Sequence, residues 1–248
     1  MNRTKIEWVR NPDGTAGYTW NPVTGCRHNC SYCYARRMCV RFAGKWGLDP
    51  ADPFRPTFHP ERLNEVDHLK GKKQIFVGSM CDLFGDWVPK EWIQDVIDKA
   101  RFQDEHYAHY VVDRDGRVKQ SCPRTFIFLT KNPRRYAEFD FPPNCWLGVT
   151  VTGQIDYQKY LGLRRQDSKN IKFMSYEPIL GSFDFFDFAF PDWLILGAMT
   201  GPGAKKYAPD PRWIADAVAQ CRARGIPVFM KNSIRPYWTG EMIRGWPR

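Results

Sequence analysis

Apolar residues along this chain fall into short, nearly continuous runs, each closing on a small or polar residue and a loop. Gln74–Ser79, Arg124–Thr130, Cys145–Val151, Ile171–Ser175, Trp193–Gly197 and Ile226–Lys231 are such runs, and Tyr18–Asn21 is a weaker one ahead of them. Runs of this length without alternation predict parallel strands buried on both faces. Between several of them the spacing turns helical. In Pro89–Ala100, Trp92, Ile93, Val96 and Ile97 share one face behind a leading proline. Pro211–Arg222 repeats the plan, and Gly225 stands where a C-cap belongs. Strand, helix, strand in sequence implies right-handed crossovers and a parallel sheet. The expected fold is therefore α/β, a partial or closed (β/α) barrel of mostly parallel strands, with a doubly wound open sheet as the alternative. Residues 46–62, rich in proline and polar side chains, read as a long loop. Val111–Val118 carries Asp115-Gly116 between β-prone residues and predicts a hairpin inserted on the surface around 103–123, within a single domain spanning 1–248.

Composition narrows the class. At 248 residues with 43% hydrophobic and 15% aromatic content, the chain has enough apolar mass for a sizeable core, which excludes a disordered tail. No run approaches the roughly 18 apolar residues of a membrane span, and Met1–Trp8 lacks the apolar centre of a signal peptide. A cytoplasmic protein with no membrane partner is expected. The formal charge of +10 favours an anionic partner, such as a nucleotide, DNA or RNA, because neutralising phosphates releases counterions. A soluble protein that is merely basic is the plain alternative.

Cysteine placement changes the picture more. Of eight cysteines, Cys26, Cys30 and Cys33 crowd into one loop with C-x3-C-x2-C spacing, and the others are scattered. A loop this tight can aim three thiolates at one soft centre, which suits an iron–sulfur cluster. Three protein ligands leave one iron of a cubane open, as three ligands leave a catalytic zinc open. Zinc would call for a second ligand pair, which the sequence lacks, and three metal-free thiols are the remaining reading. If Tyr34–Phe42 is helical, Cys39 lies about 240° around from Cys33 and faces away. His28 would have to double back to serve as a fourth ligand. Cys81, Cys122, Cys145 and Cys221 show no paired spacing, so a second cluster is not expected.

The C-x3-C-x-aromatic-C pattern, with Tyr32 at the aromatic position, resembles the signature of the radical S-adenosylmethionine superfamily. More narrowly, the chain is similar to a radical-SAM-like family found largely in phages and prophages, whose activity is unassigned. That resemblance covers nearly the whole length. It rests on Thr19–Cys26, Ser79–Phe84, Leu129–Lys131, Trp146–Val149, Glu177–Gly181 and Gly201–Ala204. It implies a 4Fe-4S cluster on Cys26, Cys30 and Cys33 whose open iron chelates S-adenosylmethionine. One electron from an external donor would then yield methionine and a 5′-deoxyadenosyl radical that abstracts hydrogen from substrate. The protein's share would be placement and exclusion of water. Many members carry Gly-Gly-Glu after the second strand to hold the methionine amino group. This chain has Gly78-Ser79-Met80-Cys81-Asp82 there, and Asp82 is the carboxylate expected to substitute.

In (β/α) barrels chemistry sits at the C-terminal ends of the strands. By that rule Asp82, Thr150, Glu177, Thr200 and Gly201 are candidate cofactor contacts, and the resemblance adds Tyr32 at its aromatic position. Lys131, Arg134, Arg135, Lys205, Lys206 and Lys231 are candidate contacts to an anionic substrate. Each has a plain alternative: a strand threonine packs, a lone lysine is solvated, and Asp82 can cap a helix. The Gly201-Pro202-Gly203 loop can bring amides to an anion or simply turn. The expected function is a radical S-adenosylmethionine enzyme acting on a nucleotide or nucleic acid. The alternative is a nucleic-acid-binding protein whose iron–sulfur or zinc site is structural or senses redox.

Overall fold

Where the sequence runs apolar without alternation, the chain forms strands with almost no exposed surface. The computed structural model describes residues 1–107, 109–112, 118–121, 124–184 and 190–247. In chain order the strands and helices are β1 (Asn2–Arg3), β2 (Tyr18–Trp20), β3 (Val23–Thr24), α1 (Tyr34–Phe42), β4 (Thr57–Phe58), β5 (Lys73–Val77) and α2 (Lys90–Tyr107). They continue with β6 (His109–Val112), β7 (Val118–Ser121), β8 (Arg124–Thr130), β9 (Cys145–Val151), α3 (Tyr157–Arg164), β10 (Lys172–Tyr176), β11 (Trp193–Leu196), α4 (Pro211–Arg222) and β12 (Val228–Met230). The protein is mixed α/β, and its principal strands are mostly parallel. It divides into two compact units, Met1–Phe128 with Phe139–Trp146, and Leu129–Glu138 with Leu147–Arg248.

In the first unit β1 lies antiparallel to β2, while β2, β5 and β8 run parallel. Trp20 pairs with Val77 and Val77 with Phe128, so these strands end nearly in line. Trp20 meets Phe126 edge-on at 5.7 Å, and Phe84 meets Phe128 at 5.9 Å. On α2, Ile93, Val96, Ile97 and Ala100 are fully buried, the stripe that helical spacing calls for. In the second unit β9, β10, β11 and β12 are all parallel. Every residue of β10, β11 and β12 is buried, as expected of strands covered on both faces.

Several expectations shift. The helix opening near Pro89 continues past Ala100 to Tyr107, with Gln103 and Asp104 buried where an apolar pattern would have been needed to reveal it. The inserted hairpin is present as antiparallel β6 and β7, but it starts at His109, since 103–107 belong to α2. Its Asp115-Gly116 turn lies outside the described residues. The loop expected over 46–62 holds β4, which pairs antiparallel with β3, and a 3-10 helix from Pro60 to His68. No helix among the described residues is long and apolar enough to cross a membrane.

Gly148 on β9 stands opposite Phe173 on β10, and a Cβ there would lie 2.2 Å from the ring's Cζ. The glycine is therefore a matter of space. Gly148→Ala is expected to destabilise the protein by about 1–3 kcal/mol through overpacking. The added Phe173→Leu is expected to recover part of that loss, and thermal melting of the single and double variants measures both.

Candidate functional site

The cysteine loop hangs from the C-terminal ends of β2 and β5. Gly78 N–H donates to the Trp20 carbonyl at 2.9 Å, which carries the parallel pairing one step beyond the strands. Asn21 then ties the two exits together: its Oδ1 accepts from Met80 N–H at 3.0 Å and its amide nitrogen donates to Ser79 Oγ at 3.1 Å. Gly25 N–H donates to the Met80 carbonyl at 2.9 Å, and Cys26 N–H to the Phe54 carbonyl at 3.1 Å. Gly25 has φ +85°, and any Cβ would meet the Arg55 carbonyl oxygen at 2.1 Å. Glycine is required there on both counts. A bidentate pair from Arg27 to Asp52, at 2.9 and 2.5 Å, ties the loop to the following one.

Cys26, Cys30 and Cys33 are all half-buried and none is in a disulfide. Cys33 caps α1, its Sγ accepting from Arg36 N–H at 3.3 Å. Arg36 reaches back so that Nη2 donates to the Cys26 carbonyl at 2.8 Å, with its guanidinium over the Phe54 ring. The Arg36 Nε is buried with no hydrogen-bond partner. A guanidinium anchored on the Cys26 carbonyl with one N–H left over, together with three thiols in one loop, suits soft anionic acceptors, so the donor set fits an iron–sulfur cluster chemically. As the side chains stand, no group of three or more His, Cys, Asp or Glu among the described residues is arranged to hold a metal ion. Burial, with the charges of Asp82, Cys30 and Cys33 adding to it, pushes the Cys26 thiol up to about 11. Soft-metal binding there must therefore expel a proton that Cys26 retains in the folded, metal-free protein.

Two neighbours differ from the sequence reading. Cys39 does not face away: it is buried with Ala35 and Phe54, and Cys26 and Cys33 pack against the same small cluster. Phe54, arriving from the next loop, brings that side of α1 into the interior. His28 does double back, but to Asp82, whose Oδ2 lies 2.7 Å from Nε2. The other Asp82 oxygen accepts from Phe84 N–H at 3.1 Å, and the side chain is nearly buried. The edge-on contact of His28 with Trp87, at 4.8 Å, holds the imidazole from the other side. Tyr32 is half-buried in the same loop. The pairing of His28 with Asp82 spans 54 residues of chain and has no local signal.

The remaining candidates belong to the second unit. Glu177 follows β10 and hydrogen-bonds Lys231, which follows β12, so two expected strand-end residues do meet. The Glu177–Pro178 peptide is cis. Thr150 is a buried member of β9 opposite Ser175. Thr200, Gly201, Lys205 and Lys206 are exposed in the loop and short 3-10 helix after β11. Arg134 is exposed and Lys131 half-buried. Arg135 turns inward, where its Nε lies 3.3 Å from Glu138, and its charge is compensated there.

The loop's supports lead to two expectations. Asn21→Ala leaves the Met80 N–H without its acceptor, and a lost buried partner typically costs about 1–3 kcal/mol. The melting temperature should fall accordingly, with reactivity of Cys26 toward a thiol reagent rising as the loop loosens. The second concerns His59, whose Nε2 lies 2.9 Å from Thr24 Oγ1 beside this loop. Burial, then the Arg62 guanidinium, holds His59 below its ordinary value. The unfolded chain thus takes up this proton first as pH falls, and stability present above about 6.5 is lost below it. The urea midpoint should drop more between pH 7.5 and 5.5 for the native sequence than for His59→Gln. Equal drops would assign the pH dependence to other groups.

No curated protein and no solved structure matches the chain. A family model described as "Protein of unknown function (DUF5131)" matches residues 3–239, nearly its whole length. The chain, with its cysteine loop suspended from two parallel strand ends, belongs to that family.

Proposed function

We propose that this protein is a radical S-adenosylmethionine enzyme whose 4Fe-4S cluster is held by Cys26, Cys30 and Cys33. The observation that carries the proposal is the loop itself: three half-exposed thiols outside any disulfide, at the C-terminal ends of parallel strands, with the Arg36 backbone N–H on the Cys33 sulfur and its guanidinium on the Cys26 carbonyl. Such strand ends are where α/β enzymes place their chemistry. The mostly parallel strands are taken as a (β/α) barrel of the radical SAM type, in a cytoplasmic enzyme served by an external electron donor.

When bound, the cluster supplies one electron for cleavage of S-adenosylmethionine. The chain's own residues do the rest. Arg36 fixes the loop through the Cys26 carbonyl and places positive charge beside the thiolates, which lowers the cost of carrying their negative charge in a partly buried site. The thiols would turn about their Cα–Cβ bonds to converge, while the backbone stays fixed by Asn21, Gly25 and the bond from Cys26 N–H to Phe54. Asp82 holds His28 and, through it, the middle of the loop, so its role in this reading is to position the loop. The charge of +10 supports an anionic substrate, a nucleotide or nucleic acid.

The test is anaerobic. Protein reconstituted with iron and sulfide should hold about four irons per chain. With dithionite and S-adenosylmethionine it should release 5′-deoxyadenosine, and Cys30→Ala should abolish the release. Full release by Cys30→Ala, or oxygen-free preparations lacking both iron and sulfide after refilling, overturns the proposal.

A further inference from the structure

The helix that follows the cysteine loop carries an apolar surface that the cluster chemistry does not use. On α1 and the turn after it, Tyr34, Met38, Phe42 and Trp46 recur at four-residue spacing. The Trp46 N–H donates to the Phe42 carbonyl at 2.9 Å, so the helical phase continues to the tryptophan. Residues four apart lie one above another on a helix, about 6 Å per step. Tyr34, Met38 and Trp46 are 50%, 38% and 43% exposed, far from the near-zero values of the core aromatics. Phe42 lies against Trp46 at a ring separation of 5.3 Å. The Tyr34 hydroxyl donates to the Ser79 carbonyl at 2.7 Å, which fixes its half-exposed ring beside the loop.

A second row runs alongside. Arg37, Arg41 and Lys45 share the same four-residue spacing and are all exposed. Among the described residues no carboxylate pairs with any of them, and the helix has no acidic residue in its sequence YARRMCVRF. Arg41 lies over the Phe42 ring at 5.2 Å, presenting a cation and a π-face together. Solvent-facing helix surfaces usually mix both signs of charge, and an apolar row flanked only by cations asks for an anionic, planar occupant.

We infer that this face of α1 binds single-stranded nucleic acid, with bases stacked on Tyr34 and Trp46 and phosphates on Arg37, Arg41 and Lys45. Stacking is tolerant of sequence because every base has a π-face, and cations along one edge follow the backbone. A duplex keeps its bases stacked on one another and offers no free face to these rings. A lipid surface calls for a broad, continuous apolar face, whereas this one is narrow, largely aromatic and pinned through the Tyr34 hydroxyl. The inference deepens the proposed function by naming a substrate class and rests on that reading only for the chemistry; binding itself needs no cluster.

The experiment is fluorescence anisotropy of the full chain with a labelled single strand of about 12 nucleotides, titrated at several salt concentrations. Binding should weaken with salt, and a duplex of the same sequence should bind more weakly. Trp46→Ala should lower the affinity about tenfold, within the range found for loss of one stacked base. Arg37→Ala with Arg41→Ala should flatten the salt slope by about 1.4, at roughly 0.7 per phosphate contact. Both variants change exposed side chains, and unchanged melting temperatures verify folding. Unaltered affinity and slope in both variants overturns the inference. So does Trp46-dependent binding to anionic vesicles, or Trp46-dependent self-association, in a protein whose oligonucleotide binding ignores Trp46. Release of 5′-deoxyadenosine without nucleic acid reports on the cluster alone, so the two proposals fail separately.

Discussion

The tie between the exits of β2 and β5 is the constraint on which the cysteine loop depends. Parallel pairing brings Trp20 level with Val77, and Asn21 then binds the backbone of Met80 and the hydroxyl of Ser79. A side-chain amide can serve as donor and acceptor at once, which lets one residue satisfy polar groups on a neighbouring segment where the ladder ends. Gly25 returns to the same segment through the Met80 carbonyl, and its close approach to Arg55 adds a third strand of chain. The loop carrying Cys26 is thereby held at its base by backbone hydrogen bonds, while its thiol side chains retain freedom to turn.

Electrostatics around the loop pulls in two directions. Burial and the neighbouring carboxylate of Asp82 oppose ionisation of Cys26, and Cys81 is likewise pushed up by its packed surroundings. The His28 backbone N–H acts the other way on Cys26, and Arg36 sets one nitrogen on the Cys26 carbonyl with its buried Nε still unpartnered. The Cys26 thiol thus keeps its proton until a metal centre compensates the charge. His28 pairs with Asp82, so that carboxylate is already engaged within the protein.

Each unit holds both paired and solvent-facing cations. In the second, Glu177 and Lys231 meet at strand ends and Arg135 turns inward to Glu138, so two cations that the sequence singles out are compensated locally, while Arg134, Lys205 and Lys206 stay exposed. In the first, the row along α1 keeps Arg37, Arg41 and Lys45 solvent-facing beside exposed rings. Net charge alone does not distinguish these situations, because it counts a paired lysine and a solvent-facing one alike.

The strands and the cysteine spacing are legible in the chain itself. Arg124–Thr130 and Cys145–Val151 form strands with the bounds their apolar runs suggest, because a strand buried on both faces needs apolar residues at every position. Pro211–Arg222 is equally plain from its leading proline and helical spacing. What stayed hidden either lacks a pattern or joins distant segments. In α3 only Tyr160 and Leu163 are buried, too few to mark a face, and α2 runs beyond Ala100 on buried polar residues. The inward turn of Cys39 depends on Phe54 closing over α1, and the His28–Asp82 pair on two strand exits lying side by side. Local sequence determines which segments are extended or helical and which residue types are at hand. Only the tertiary structure decides which side chains meet, because that follows from the packing of segments far apart in the chain.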